Sequence, residues 1–366
     1  MKIGFINCGI YAYASGAPLA AGGAERDLWL LGAALANFGW SVKVAVRGDL
    51  DPKARTSIHG VEFIGIGRGQ ILLEWYRFLS SERPDWLFWR CADPRLGALV
   101  EIAARAGVRT IFSVGCDLDV EPRHAPLYRP RWWPLYAWGL LRTHRIFVQH
   151  QGQLCGLRPE WQSKASILPK VCFLPGIVGD GILVKPHSER AKYVVWAGSL
   201  IKFKRPDLLI EIARKLPAIR FVVCGGPSTL MSAPDYSGRI IDELGKTANI
   251  EYLGQIPPDK AQKLIAEAAL LLSTSDTEGF PNTFVQAWSS GTPVISLKID
   301  PDHNIQRLGL GVVSRSAERA AADITALIDS ADRREAIACR ARSFILENHS
   351  AATVVGLFEH AIHHAL

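Results

Sequence analysis

The amino-acid sequence predicts an α/β protein of two domains built on parallel sheets, and three observations carry that expectation. Short apolar runs alternate with stretches of helical spacing along the whole chain. Such alternation places strands side by side through crossover helices. The length, 366 residues, suffices for two domains that each bury a core. A stretch rich in proline, glycine and charge, from Pro169 to Glu189, separates the halves and reads as the linker.

The elements follow in order. Lys2 to Ile6 reads as a first buried strand. After a loop, Gly22-Gly23-Ala24-Glu25-Arg26 opens a helix whose apolar side runs through Leu28, Leu31, Leu35 and Phe38, and Gly39 closes it. Ser41 to Val46 is the next strand. Trp86 to Trp89 and Thr110 to Val114 are strands around a helical run from Leu96 to Ala106, and Ile146 to Val148 is another strand. Beyond the linker, Tyr193 to Ala197 is a strand that Gly198 ends, and a helix begins at Asp207. Arg220 to Gly226, Ile250 to Leu253 and Leu270 to Leu272 are strands. Phe284, Val285, Ala287 and Trp288 mark a helical segment that Gly291 and Pro293 end, and Val294 to Leu297 is a buried strand.

Composition narrows the function. Hydrophobic residues make up 48 % and charged residues 21 %, ordinary for a globular protein. No apolar run reaches the roughly 18 residues of a spanning helix, and the N-terminal apolar stretch suits a strand better than a signal peptide. Seven cysteines without C-x-x-C pairs argue against a disulfide framework or zinc site and favour a reducing, cytoplasmic setting. The formal charge of +7 admits an anionic partner. With no zinc-finger, RRM or helix-turn-helix signature, nucleic acid is not the expected one. A dinucleotide-binding reading of the N-terminus needs G-x-G-x-x-G in the first strand–helix turn. Gly4, Gly9, Gly16, Gly22 and Gly23 do not give that spacing.

Three segments carry chemistry. In Ser273 to Val294, Glu278 opens a tight Gly279-Phe280-Pro281-Asn282 turn before a helix, where unpaired backbone N–H groups favour anions. In Tyr193 to Pro206, a basic loop with Lys202, Lys204 and Arg205 joins a strand to a helix. At the N-terminus, Gly22 and Gly23 at a helix start allow close backbone approach to a phosphate or sugar. The first two also have a bland reading, as an ordinary turn before a helix and as a solvated loop.

Together these segments resemble family 4 retaining glycosyltransferases. The resemblance covers nearly the whole chain and implies a GT-B fold, two facing Rossmann-like doubly wound domains with a central cleft. It implies an N-terminal acceptor-side domain over residues 1–175 and a donor-binding domain over 176–345. Residues 346–366 would then be a helix crossing back. In that family a Glu, seven residues and a second Glu grip the nucleotide-sugar; here Glu278 stands first and Gln286 second. The family's Gly-Arg-Leu followed by Lys matches Gly198, Ser199 in place of Arg, and Lys204, with Lys202 and Arg205 as candidates for the missing charge. The family often places a His at the end of an N-domain strand; here that strand runs into Gly115-Cys116-Asp117-Leu118-Asp119, and Asp117 or Asp119 is the candidate substitute. The expected site is thus Glu278, Lys204 and Asp117 for catalysis. Gly22, Gly23, Gly198, Ser199, Lys202, Arg205, Gly279, Phe280, Pro281, Asn282 and Gln286 would bind the donor.

The resemblance implies no required cofactor, since the nucleotide-sugar is a substrate. Asp117/Asp119 and Asp300/Asp302 match a D-x-D metal pattern too short to outweigh the fold, so no metal is expected. His303 reads as a polar loop residue. The expected partners are a nucleotide-sugar donor and a glycan or lipid-linked acceptor in cell-surface glycan synthesis. In Tyr128 to Arg145, Trp132, Trp133, Leu135, Tyr136, Trp138, Leu140 and Leu141 interleave with Arg129, Arg131, Arg142 and Arg145. That pattern suits either an anionic membrane surface at the inner face of the plasma membrane or a core helix with a basic rim. Against the enzyme stand a non-catalytic binding partner, favoured by Ser199, Gln286 and the absent His, and an epimerase or phosphorylase on the same fold.

Overall fold

The computed structural model describes residues 1–6, 9–17, 22–121, 123, 130–172, 185–227 and 234–363. Tyr128, Arg129 and the middle of the expected linker lie outside the described residues. The chain divides into two compact units, Met1–Val178 with His349–Leu366, and Gly179–Asn348.

The first unit holds strands β1 (Lys2–Phe5), β2 (Ser41–Val46), β3 (Arg55–Ile58), β4 (Val61–Gly65), β5 (Trp86–Arg90), β6 (Arg109–Ser113), β7 (Arg145–Val148) and β8 (Ala165–Ile167). Its helices are α1 (Ile10–Ala14), α2 (Gly23–Asn37), α3 (Ile71–Glu82), α4 (Arg95–Arg105), α5 (Trp133–Arg142), α6 (Gln151–Gly156) and α7 (Pro159–Gln162). The second unit holds β9 (Ala191–Ala197), β10 (Arg220–Cys224), β11 (Ile250–Tyr252), β12 (Ala268–Ser273), β13 (Val294–Ser296) and β14 (Gly311–Val313). Among them run α8 (Pro206–Lys215), α9 (Pro234–Lys246), α10 (Pro258–Glu267), α11 (Asn282–Ser289), α12 (Asn304–Leu308), α13 (Ala317–Ile328) and α14 (Ala331–His349). The last helix, α15 (Ala351–His363), returns to the first unit.

Sheet order fixes where ligands can bind. The second sheet runs β11-β10-β9-β12-β13-β14, parallel throughout. Strand order therefore reverses between β9 and β12, and doubly wound sheets bind ligands outside the carboxyl ends of the strands at such a switch point. The first sheet runs β3-β4-β2-β1-β5-β6-β7-β8, with its switch point between β1 and β5. Only its β3–β4 pair is antiparallel. That hairpin was not anticipated. Ile58 pairs with Val61 across a two-residue turn in which His59 (φ 47°) and Gly60 (φ 78°) are both left-handed, the turn that matches strand twist. The His-Gly pair between apolar residues was the available signal.

Apolar spacing places the cores. Leu28, Leu31 and Leu35 of α2 pack with Phe5, Val44 and Phe63, and α15 joins them through Val354, Val355 and Phe358. Trp40 meets Phe358 edge-on at 5.5 Å and donates its indole N–H to Glu359 at 2.8 Å. The opposite face buries Phe78, Trp89, Leu99, Phe112 and Tyr136. In the second unit, Leu209, Ile212, Ile240, Ile324 and Ile337 cover Val194, Phe221 and Leu270. Trp288 of α11 is fully buried against Phe284, Phe280 and Phe344 and donates its indole N–H to the Leu310 carbonyl at 2.9 Å.

The expected linker is anchored at both described ends. Cys172 N–H donates to the His349 carbonyl at 2.9 Å, and His349 Nδ1 donates to the Lys170 carbonyl at 2.8 Å. On the other side Arg190 donates to Thr292 Oγ1 (2.9 Å) and the Ser290 carbonyl (2.5 Å), fixing the end of α11. The Arg334 guanidinium, 1 % exposed, caps α13 by donating to the Leu327 and Ile328 carbonyls, and donates to His187 Nδ1 at 3.3 Å. His187 Nε2 therefore carries the proton and donates to the Gly291 carbonyl at 2.8 Å.

Candidate functional site at the β9–β12 switch point

Two loops meet where strand order reverses. After β9, Gly198 and Ser199 lead to a single 3-10 turn, Lys202–Lys204, and then α8. After β12, Ser273 to Pro281 lead to α11. The loops are stitched together: Asp276 N–H donates to the Phe203 carbonyl and Thr274 Oγ1 to the Lys204 carbonyl, both at 2.7 Å. The loop after β10 presses in as well. Gly225 (φ 140°) packs so closely on the Gly198 carbonyl that any Cβ would overlap it.

That framework brings Lys204 and Glu278 together. The ammonium of Lys204 donates to Glu278 Oε1 in a short ion pair, and Ser275 Oγ donates to the same oxygen at 2.9 Å. The pair is half-buried, with side-chain exposures of 24 % and 15 %. A charged pair in that setting is held by little and can exchange partners with a ligand. Gly279, Phe280 and Pro281 are buried between Glu278 and the start of α11, at Asn282. Gln286 lies along α11, and its side-chain amide makes no hydrogen bond among the described residues. Ser199 and Lys202 are exposed on the loop after β9. Arg205 differs from the expectation. Its guanidinium is held by Asp207 at 2.7 Å and reaches Asp276 at 3.4 Å, and these carboxylates hold it charged. It links the start of α8 to the β12 loop and makes no ion pair with Glu278.

The first unit places its candidates differently. Gly22 is the N-cap of α2, and the space left by its missing side chain is filled by the Glu25 carboxylate, folded back over the helix start. An acidic group there suits the positive end of the helix. Asp117 sits after β6, its Oδ1 accepting from His150 Nε2 (2.9 Å) and Gln153 Nε2 (3.0 Å). His150 stands at the residue before α6, two residues beyond the end of β7. Sequence reasoning looked for a His only after β6, and the neighbouring strand supplies one; no spacing rule links the two, because the sheet makes them adjacent. Asp119, the other candidate there, is a loop brace. It is 4 % exposed and accepts from the amides of Gly115 (2.9 Å), Cys116 (3.2 Å) and Ala92 (3.3 Å), while burial raises its pKa. Asp300 is a cap too, accepting from Ile305 N–H at 2.7 Å.

Sequence reasoning also missed the first switch point itself. Asp27 of α2 accepts from Arg90, which ends β5, at 2.7 Å and from Lys170 at 2.8 Å. All three side chains are under 10 % exposed, and Arg26 is buried beside them. Burial alone pushes the Asp27 pKa up, but Lys170, Arg90 and Arg26 outweigh it and hold the carboxyl below its usual value.

The stretch at α5 divides. Tyr136, Gly139 and Leu140 face the core, while Trp132, Trp138 and Leu141 are exposed by 42 %, 46 % and 51 %. Arg131 lies over Trp132 at 5.2 Å and Arg142 over Trp138 at 5.8 Å. Trp133, expected to point outward, instead has its indole nitrogen buried. Among the described residues no helix is long and apolar enough to cross a membrane.

Two doubly wound units with ligand-competent loops at a switch point define the GT-B class, and similarity to known structures agrees. Sucrose-phosphate synthase from Thermosynechococcus elongatus superposes with a TM-score of 0.77 over 100 % of both chains at 14 % identity. Anabaena Alr3699/HepE, in complex with UDP and glucose, gives 0.75 over 100 % of both at 14 % identity. At that identity the likeness shows the fold. Residues 183–344, which include the Lys204–Glu278 pair, match the family of glycosyl transferases group 1. The D-inositol 3-phosphate glycosyltransferase of Mycobacterium leprae (strain Br4923) is 37 % identical over 110 residues, 29 % of this chain. The matched segment spans about a quarter of the length of that curated relative, 25 %.

Proposed function

We propose that the protein is a retaining glycosyltransferase that moves a sugar from a nucleotide-sugar to a glycan or lipid-linked acceptor in cell-surface glycan synthesis. The observation that carries this reading is the Lys204–Glu278 pair at the β9–β12 switch point, inside the segment that matches glycosyl transferases group 1. When the anomeric bond breaks, negative charge grows on the leaving diphosphate. A fixed ammonium and backbone N–H groups at a helix start stabilise that charge. Lys204 and the Gly279–Asn282 turn supply them, and Lys204 turns from Glu278 to the diphosphate as the donor enters. Glu278, so released, accepts from donor-sugar hydroxyls. Gln286 hydrogen-bonds ribose hydroxyls without a charge, and Asp117 with His150 contacts the sugar or acceptor. UDP in the Anabaena complex supports a nucleoside diphosphate as the group recognised.

The exposed face of α5 supports a lipid-linked acceptor met at an anionic membrane surface. Trp132, Trp138 and Leu141 offer apolar contact and Arg131 and Arg142 offer charge.

A donor screen that follows nucleoside diphosphate release tests the activity, and the anomeric configuration of the product by NMR tests retention. Glu278→Gln is expected to lose most turnover while melting at the wild-type temperature. Wild-type turnover in that variant sinks the assignment.

A further inference from the structure

A cavity lies in the same unit, at the carboxyl ends of β12, β13 and β14. Its volume is about 540 Å³, within the roughly 300–1,000 Å³ of small-molecule sites. Neither Lys204 nor Glu278 lines it. Lys298, just beyond β13, His303, before α12, and Arg315, just beyond β14, do. None of these three side chains has a hydrogen-bond or ion-pair partner among the described residues.

The carboxylates in the same wall are already engaged. Asp300 accepts from the Ile305 and Gln306 amides and from Gln306 Nε2, capping α12. Asp276 accepts from Arg205 Nη1, and Arg205 is itself held by Asp207. So Arg205 is paired while Lys298 and Arg315 are not among the described residues, and Arg205, Lys298 and Arg315 against Asp276 and Asp300 leave the lining net positive. The backbone holds His303 and Arg315, and the paired Arg205, in costly conformations. Arg205 (φ 50°), His303 (φ 55°) and Arg315 (φ 65°) are left-handed residues other than glycine, and all three line the cavity. Such strain persists only where surrounding structure enforces it, and it gathers at ligand sites. A carboxylate ligand offers two acceptor oxygens. A phosphoryl group offers three and a second charge, and it suits three donors carried on two loops, Lys298 and His303 between β13 and α12 and Arg315 between β14 and α13.

We propose that this cavity is a binding site for a phosphoryl-bearing small molecule, held by Lys298, Arg315 and His303 and distinct from the Lys204–Glu278 site. The inference does not depend on glycosyl transfer.

The test uses the full chain carrying Lys204→Ala, so that phosphate captured at the other site does not contribute. Calorimetric titration with inorganic phosphate is expected to show binding to this variant. Adding Lys298→Ala and Arg315→Ala is expected to weaken it at least about tenfold, the scale of charged hydrogen bonds. Because both side chains are exposed and unpaired among the described residues, the melting temperature stays unchanged. Lys298→Arg with Arg315→Lys restores binding in part. Phosphate affinity that is absent in the Lys204→Ala chain, or equal with and without Lys298 and Arg315, overturns the proposal. Loss of phosphate binding on Lys204→Ala alone assigns all of it to the donor site and likewise overturns it.

Discussion

The two sheets place charge at the same topological position and do opposite things with it. At the switch point of the second unit, Lys204 and Glu278 form a half-buried pair on two loops. At that of the first unit, Asp27, Arg90 and Lys170 form a sealed cluster joining α2, β5 and the start of the linker. Water reaches one and not the other, and dielectric sets the consequence. A half-exposed pair is worth little to stability and opens to a ligand at small cost. A buried cluster gives rigidity, and losing one partner strands the others in a medium that cannot solvate them. Residue type alone does not distinguish a ligand site from a structural brace; exposure does.

The largest expected effect breaks the sealed side. Asp27→Asn leaves Arg90 and Lys170 without their anion, and urea unfolding is expected to show a loss of about 3–5 kcal/mol. A loss below about 1 kcal/mol would mean that water already reaches the cluster. The open side gives the complementary result. Lys204→Ala is expected to weaken nucleoside diphosphate binding by about 1.5–3 kcal/mol with little change in the melting curve. Unchanged affinity in calorimetry would move the role to Lys202.

Acid sharpens the comparison next. Burial holds His187 and His349 at about 4, against about 6.5 in an unfolded chain. As pH falls below about 6.5 the unfolded chain takes up these protons first. Stability is therefore full above that pH, declines towards about 4, and stops declining once both states are protonated. Unfolding midpoints at neutral and mildly acid pH measure this, and His187→Gln should flatten the decline. At the membrane face, Trp132→Ala with Trp138→Ala should reduce co-sedimentation with anionic liposomes at low salt without altering the fold; equal sedimentation would leave α5 an ordinary surface helix. The smallest effect expected is none. Asp119 and Asp300 are already occupied by backbone amides, so transfer activity should survive EDTA, and a loss restored by magnesium would contradict that reading.

What the sequence determined by itself was local and periodic. The strand at Ser41–Val46, the helix that Gly22-Gly23 opens and the turn from Glu278 into α11 are set by apolar period and by glycine and proline, all acting within a few residues. The family resemblance singled out Lys204 and Glu278 among the charged residues, and the fold brings the two together. Tertiary structure decided which residues meet. His150 reaches Asp117 only because β6 and β7 are neighbours, and Lys170 reaches Asp27 across 143 residues of chain. It also decided exposure and pairing, burying the Trp133 indole nitrogen while leaving Trp138 exposed on one short helix and pairing Arg205 with Asp207. Burial and pairing are properties of contacts distant in sequence, and no local pattern encodes them.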